Sequence, residues 1–89
     1  MGLDKRIIMR QIGAKVAYFR TLVGMSQGEL AQKLNTTQSA VSKIECGKYN
    51  ENLGFVHLID IAEALDIDLT LLLTFNDFEK EMWDTKIGR

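Results

Sequence analysis

The sequence predicts an all-α, or mainly α, fold in one small domain. Its 89 residues contain no proline, and 46% of them are hydrophobic and 26% charged, as in ordinary globular chains. Apolar residues recur at the 3.6-residue spacing of a helix face, and runs of β-branched residues are few. These observations favour packed amphipathic helices over a sheet.

A first helix is predicted from about Asp4 to Val23. Its apolar residues recur at helical spacing and form one stripe that would face the core. The members of this stripe are Ile8, Ile12, Val16, Phe19 and Val23. Gly24 follows at the position where a left-handed residue ends many helices.

The next two helices are short and have clear capping signals. Ser26 and Glu29 match a capping box, and the helix that follows would bury Leu30, Ala31 and Leu34. A three-residue break, Asn35-Thr36-Thr37, separates this helix from a third, Gln38 to Glu45. Thr37 suits the N-cap of the third helix, Val41 and Ile44 would point inward, and Gly47 would end it in the left-handed conformation.

A fourth helix is predicted from about Leu53 to Leu65, after a polar loop. Its expected buried residues are Phe55, Leu58, Ile59, Ala62 and Leu65. Residues 67–75 allow two interpretations. Their apolar residues alternate like a strand, with Leu72 as the exception, but Asp68 also suits the N-cap of one short helix.

The chain is expected to divide into a folded domain, residues 1–75, and an acidic, aromatic extension, residues 76–89. Charged residues alternate with apolar ones in the extension, as in a final amphipathic turn or helix. Four large apolar residues in the extension or directly before it favour a dimer contact: Phe75, Phe78, Met82 and Trp83.

The overall charge of −1 conceals an uneven distribution. Residues 1–50 contain eight basic and three acidic residues, a net charge of +5, whereas residues 51–89 contain three basic and nine acidic residues, a net charge of −6. A molecule divided in this way is expected to have one side that faces anions. The near-neutral total is therefore compatible with a nucleic-acid partner.

Several classes of protein are not expected from this sequence. No membrane span, secretory signal or glycine-rich phosphate loop occurs, and no Ser, His and acidic residues suggest a catalytic triad. Cys46 is the only cysteine, and His57 has no second His or Cys at ligand spacing, so we expect no disulfide, metal or cofactor. A cytoplasmic, non-enzymatic protein is the resulting expectation.

Two short helices joined by a three-residue turn describe a helix-turn-helix, whose second helix can enter the major groove of DNA. Gln27 and Gln38 each begin one of these helices, where free amides and partial positive charge suit a phosphate. The outer face of the third helix would consist of Gln38, Ser39, Ser42 and Lys43. Glutamine can bond N6 and N7 of adenine together, so this face is suited to base recognition.

Two segments carry a resemblance to a known family: Gly24-Met25-Ser26-Gln27-Gly28-Glu29-Leu30-Ala31-Gln32-Lys33-Leu34 and Thr36-Thr37-Gln38-Ser39-Ala40-Val41-Ser42-Lys43-Ile44-Glu45-Cys46-Gly47-Lys48. They are similar to the helix-turn-helix of the lambda-repressor/Cro-like (XRE) family, and the similarity extends over about residues 7–75. It implies a five-helix bundle. It also implies sequence-specific binding to double-stranded DNA, usually as a dimer on a two-fold symmetric operator.

The resemblance also implies residue roles. Gln27 would bond a phosphate and brace Gln38, which would read a base. Ser39, Ser42 and Lys43 would face the groove, Thr37 would also contact DNA, and Lys48 with its loop would meet the DNA backbone. Arg20 and Glu45 match the positions of a partly buried ion pair that joins the first and third helices.

The expected function is that of a homodimeric transcriptional regulator, more specifically a repressor. Its third helix would lie in the major groove, with half-sites about 34–36 Å apart or a multiple of that distance. Two alternatives stay open. The chain could be an antitoxin that binds a toxin, which a strand at 67–75 would favour, or the controller protein of a restriction–modification operon.

Overall fold

A computed structural model describes residues 4–48 and 54–74 of the chain. These residues form five α-helices and no strand, which confirms the predicted fold class. The helices are α1 (Lys5–Leu22), α2 (Gln27–Lys33), α3 (Gln38–Glu45), α4 (Phe55–Leu65) and α5 (Thr70–Leu73). None of these described helices has the length and apolarity needed to cross a bilayer.

Helix α1 begins and ends within one residue of its predicted bounds. The Asp4 carboxylate accepts a hydrogen bond from the backbone N–H of Arg6 at 2.9 Å and caps the first turn. Val23 is the C-cap, and Gly24 follows with a φ of +76°, in the left-handed region expected for it. Local capping chemistry therefore determines both ends of this helix.

Helices α2 and α3 also form where their caps predict. The Ser26 hydroxyl accepts from the Glu29 N–H at 3.0 Å, and the Glu29 carboxylate accepts from the Ser26 N–H at 2.8 Å, which completes the capping box. The Thr37 hydroxyl accepts from the Ala40 N–H at 3.1 Å. Gly47 ends α3 with a φ of +70°.

The two open interpretations of residues 67–75 are decided in favour of a helix. α5 occupies Thr70–Leu73, and the Asp68 carboxylate accepts from the backbone N–H of Thr70 at 3.0 Å. Leu72, the exception to the strand-like alternation, is fully buried. Residue 75 and the extension beyond it lie outside the described residues, and so does the expected dimer contact of that extension.

The core lies where α1 and α2 meet the other helices. α1 contacts α3, α4 and α5, and α2 contacts α3 and α4. The buried apolar residues are Ile12, Val16, Leu30, Ala31, Val41, Ile44, Leu58, Ile61, Ala62, Leu65 and Leu72. Ile8, Phe19 and Leu34 pack against this cluster from its edge. Each of the five described helices contributes to this cluster, and α3 packs directly against α1 and α2.

For two residues the prediction of burial in the core is wrong. Val23 is 47% exposed and Phe55 is 60% exposed. Each lies at an end of its helix, where the apolar stripe extends beyond the neighbouring helices. In α4 the buried face also includes Ile61, at 2% exposure, while Ile59 is only half-buried. Periodicity identifies an apolar stripe, but the neighbouring helices determine how much of it is covered.

The backbones of α1 and α3 approach very closely at Gly13. A Cβ atom added there would overlap the carbonyl oxygen of Ile44 and would lie 2.7 Å from that of Glu45. A Cβ added at Gly47 would lie 2.7 Å from Cγ of Arg10, so α1 also packs against the end of α3. These two glycines let α1 support the third helix directly through its backbone.

Candidate nucleic-acid interface

The outer face of α3 is polar and accessible. Gln38, Ser39 and Lys43 are exposed and Ser42 is half-buried, whereas the inward residues Val41 and Ile44 are 1% and 8% exposed. Thr37 is exposed as well, and its hydroxyl caps the helix. The structure thus places the predicted groove residues together on one side of a well-anchored helix.

The starts of α2 and α3 lie close to each other. The carbonyl oxygen Oε1 of Gln38 lies 3.8 Å from the position that a Cβ on Gly28 would occupy. The first turn of α2 is therefore beside the side chain that is expected to read a base. A side chain as small as alanine at position 28 would lie at ordinary contact distance from Gln38.

Gln27 has a partner inside the protein. Its amide nitrogen Nε2 donates to the carboxylate oxygen Oε1 of Glu45 at 2.9 Å, and the side chain is half-buried. This link between α2 and α3 was not expected from the sequence. The predicted bracing of Gln38 by Gln27 stays a prediction.

Arg20 and Glu45 form a two-pronged ion pair. Nε of Arg20 donates to Oε2 of Glu45 at 2.6 Å, and Nη2 donates to Oε1 at 3.1 Å. The side chains are only 16% and 6% exposed. The hydrogen bond to Glu45 raises the pKa of the Arg20 guanidinium above its usual value, which favours the charged form of Arg20.

The same guanidinium reaches the turn between α1 and α2. Nη1 of Arg20 donates to the backbone carbonyl of Met25 at 2.8 Å. One arginine from α1 thus binds the turn before α2 and the last residue of α3. This geometry fits the role that the family resemblance implies for the pair.

The end of α3 carries further accessible side chains. Cys46 and Lys48 are exposed, like Lys43 of the polar face, and Lys48 adds a second positive charge beyond the end of α3. The loop that follows Lys48, which is expected to meet the DNA backbone, lies outside the described residues.

His57 has a structural partner at the start of α4. Its Nδ1 accepts a hydrogen bond from the backbone N–H of Gly54 at 3.0 Å. Across residues 4–48 and 54–74, no group of three or more His, Cys, Asp or Glu side chains is placed to hold a metal ion.

The close approach of α1 to α3 was missed by the sequence analysis, although a glycine in the sequence indicates it. Gly13 lies inside α1, where glycine costs about 1 kcal/mol relative to alanine, so it calls for a packing explanation. No comparable signal indicates the bond between Gln27 and Glu45, because periodicity carries no information on the partners of polar side chains.

Comparison with known proteins decides the family. A family model described as helix-turn-helix matches residues 16–72, which include α2, α3 and α4 in full. The chain belongs to the XRE-like helix-turn-helix family. Members of this family are DNA-binding proteins, so this chain is a DNA-binding transcriptional regulator and not an enzyme.

Individual relatives agree with this assignment. An uncharacterized HTH-type transcriptional regulator of Archaeoglobus fulgidus is 32% identical over 69 residues, which cover 78% of this chain and 93% of the relative. The uncharacterized HTH-type transcriptional regulator y4dL of Sinorhizobium fredii is 45% identical over 47 residues. That match covers 53% of this chain and 23% of the relative, so the chain spans under a quarter of that longer protein.

A solved structure is also similar. The restriction–modification controller protein C.AhdI from Aeromonas hydrophila superposes with a TM-score of 0.71 and 30% sequence identity. The match covers 79% of this XRE-like chain and 99% of the controller protein. The similarity therefore extends over nearly the whole of that protein.

Proposed function

We propose that this XRE-like regulator represses transcription as a homodimer that places α3 in the major groove of a two-fold symmetric operator. The observation that carries the proposal is the polar outer face of α3, which is accessible while its inner face is locked into the core. Helices presented in this way fit the major groove, which is about 12 Å wide.

Each polar residue of this face is assigned a contact. Gln38 reads a base, with adenine as the best partner for its amide, and Ser39, Ser42 and Lys43 line the groove beside it. Thr37 lies at the edge of this surface. Gln27, at the start of α2, and Lys48, after α3, meet phosphates.

Charge supports this orientation. Lys43 and Lys48 are exposed near the polar face, whereas exposed residues of α4 and its C-cap include Asp60, Glu63 and Asp66. Phosphates would repel those carboxylates, so α4 is expected to present them to solvent or to another protein. With few lysines at the interface, binding depends strongly on groove contacts.

Selection of bound duplexes from a random pool, at stated salt, tests the proposal. A selected site with two-fold symmetry and half-sites about 34–36 Å apart supports a dimer that reads two successive major grooves. Enrichment of no sequence would refute base reading by α3. A selected site without symmetry would refute the homodimer, and sedimentation of the protein with this DNA checks the stoichiometry.

The Gln38→Ala variant tests the base reader. Loss of its amide should remove about 1–3 kcal/mol of discrimination at one base pair of each half-site. Gln32→Ala is the matched control, because Gln32 is an exposed glutamine on α2 to which no DNA contact is assigned. Identical selection profiles for Gln38→Ala and the parent would remove the assigned role.

The Lys43→Ala variant tests a phosphate contact. If this lysine neutralises one phosphate in each half-site, the slope of log affinity against log salt should become shallower by about one per half-site, or about two for the dimer on its full operator. Lys33→Ala, at the exposed end of α2, removes the same charge from a different position and should leave the slope unchanged. Equal slopes for Lys43→Ala and the parent would contradict the contact.

A second candidate is the controller protein of a restriction–modification operon. The likeness to C.AhdI over 99% of that protein's length favours it. A methyltransferase or endonuclease gene beside the gene for this chain would identify that role. The antitoxin alternative has less support, because the strand that would favour it is replaced by α5 at Thr70–Leu73.

A further inference from the structure

We propose that Glu45 is a positioning residue that orients the amide of Gln27 toward a DNA phosphate, with Arg20 neutralising the charge of Glu45. The inference rests on the proposed function, because it concerns how the start of α2 meets DNA. It assigns to the buried ion pair a role in binding, beyond holding α1 to α3.

The chemistry of Glu45 settles which way the Gln27 amide faces. An ionised carboxylate only accepts hydrogen bonds, so the amide must turn its NH₂ group to Glu45, as the 2.9 Å contact shows. One N–H of Gln27 is then held inside the protein. The second N–H is on the same nitrogen, and it is the group that would donate to the phosphate assigned to Gln27 in the proposed function.

The burial of Glu45 makes this orientation rigid. Its side chain is 6% exposed, and its two oxygens accept from Arg20 at 2.6 Å and 3.1 Å as well as from Gln27. Charge-assisted bonds of this kind are stronger than neutral ones. Gln27 is therefore prepared for its ligand before DNA arrives, which lowers the entropy cost of binding.

Arg20 neutralises the negative charge of Glu45. A carboxylate close to a phosphate site would repel the phosphate, but the bidentate guanidinium cancels its charge. The net charge of the Arg20–Glu45 pair is therefore zero, and Glu45 still supplies a strong hydrogen-bond acceptor to Gln27. A neutral acceptor in place of Glu45 would orient the amide less firmly, and an unpaired Glu45 would weaken DNA binding.

A double-variant cycle on the selected DNA site tests the inference in the full chain. Gln27→Ala should weaken binding roughly five- to tenfold per half-site, the value of one good hydrogen bond. Arg20→Met combined with Glu45→Leu replaces the buried pair by apolar side chains, an exchange that often preserves folding. This variant should lose DNA affinity by about the same factor. Adding Gln27→Ala to it should reduce the affinity little further, because both changes remove the same contact between Gln27 and a phosphate.

Ethylation interference supplies a readout that a purely structural role would not move. One phosphate in each half-site should lose its interference signal in Gln27→Ala and equally in the apolar pair variant. Glu29→Gln is the control, since it removes a carboxylate from the same turn of α2 while glutamine can still complete the capping box. If the apolar pair variant does not fold, Glu45→Gln takes its place and should show a smaller loss, again without additivity with Gln27→Ala.

The outcomes separate the two proposals. If Gln27→Ala keeps the parent's affinity and interference pattern, the phosphate contact assigned to Gln27 is wrong, and the positioning role is wrong with it. If Gln27→Ala loses the phosphate signal but the pair variant retains it, or if the two losses multiply in full, Glu45 is only structural and the inference is overturned.

Discussion

Replacement of Gly13 by alanine should destabilise this regulator, although alanine is the better helix former. The change gains about 1 kcal/mol of helix propensity inside α1. The new Cβ, however, would overlap the Ile44 carbonyl oxygen and lie 2.7 Å from the Glu45 carbonyl oxygen. These are backbone atoms held by the hydrogen bonds of α3, so they cannot rotate away as the tip of a side chain can. Overpacking of this kind costs typically about 1–3 kcal/mol, and contact with backbone on two sides belongs at the upper end.

The expected net loss is about 1–2 kcal/mol in the free energy of unfolding, or a lower Tm by about 4–16 °C for a domain of this size. Gly28→Ala is the matched control. Its nearest neighbours would lie 3.8 Å away, at ordinary contact distance, so it should leave the Tm unchanged or raise it slightly. Thermal and urea unfolding of both variants measure the difference. A Tm for Gly13→Ala equal to or above that of the parent would refute the close approach of α1 and α3.

Two further predictions concern polar groups. The amide of Gln11 is fully buried and has no hydrogen-bond partner in the described part of the chain. Gln11→Met should therefore raise the free energy of unfolding, measured in urea, by about 1 kcal/mol. A decrease in that free energy would show that the amide has a partner. Hydrogen bonds from Arg6 lower the pKa of Asp4, and those from Thr70 lower the pKa of Asp68. A lowered pKa adds stability above the unfolded-state value of about 3.9, and this is lost as the pH falls through the folded-state pKa. In the double variant Asp4→Asn/Asp68→Asn the side-chain amides can still cap the helices but do not titrate. Between pH 5 and pH 2.5 the Tm of the parent should therefore fall more than the Tm of this double variant. An equal decrease of Tm with pH in the two proteins would contradict the prediction.

The helix boundaries could be predicted from sequence because local chemistry determines them. α3 spans Gln38–Glu45 as expected, since the Thr37 hydroxyl starts it and the left-handed Gly47 ends it. The capping hydroxyl and the left-handed glycine each act on residues within four positions along the chain. The same applies to the capping box that begins α2.

Burial could be predicted less well because it depends on residues distant in the chain. Phe55 lies on the predicted stripe of α4 but is exposed, since within residues 4–48 and 54–74 its side chain is not covered by another helix. Gln11 is the converse case, a polar residue that the fold encloses completely. For the candidate site, the outward residues of α3 follow from helix periodicity, whereas the contact of Gln27 with Glu45 requires the packing of α2 on α3.

The uneven charge of the chain takes on a sharper meaning in the structure. The first half has a net charge of +5, but one of its cations, Arg20, is buried against Glu45 and offers no charge to DNA. What α1 contributes is position: Gly13 contacts the backbone of α3, Gly47 packs against Arg10, and Arg20 holds Glu45. Base contacts in a groove need placement to within about 1 Å. Affinity for DNA should therefore respond to changes in α1, even though the proposed contacts belong to α2, α3 and the residue that follows α3.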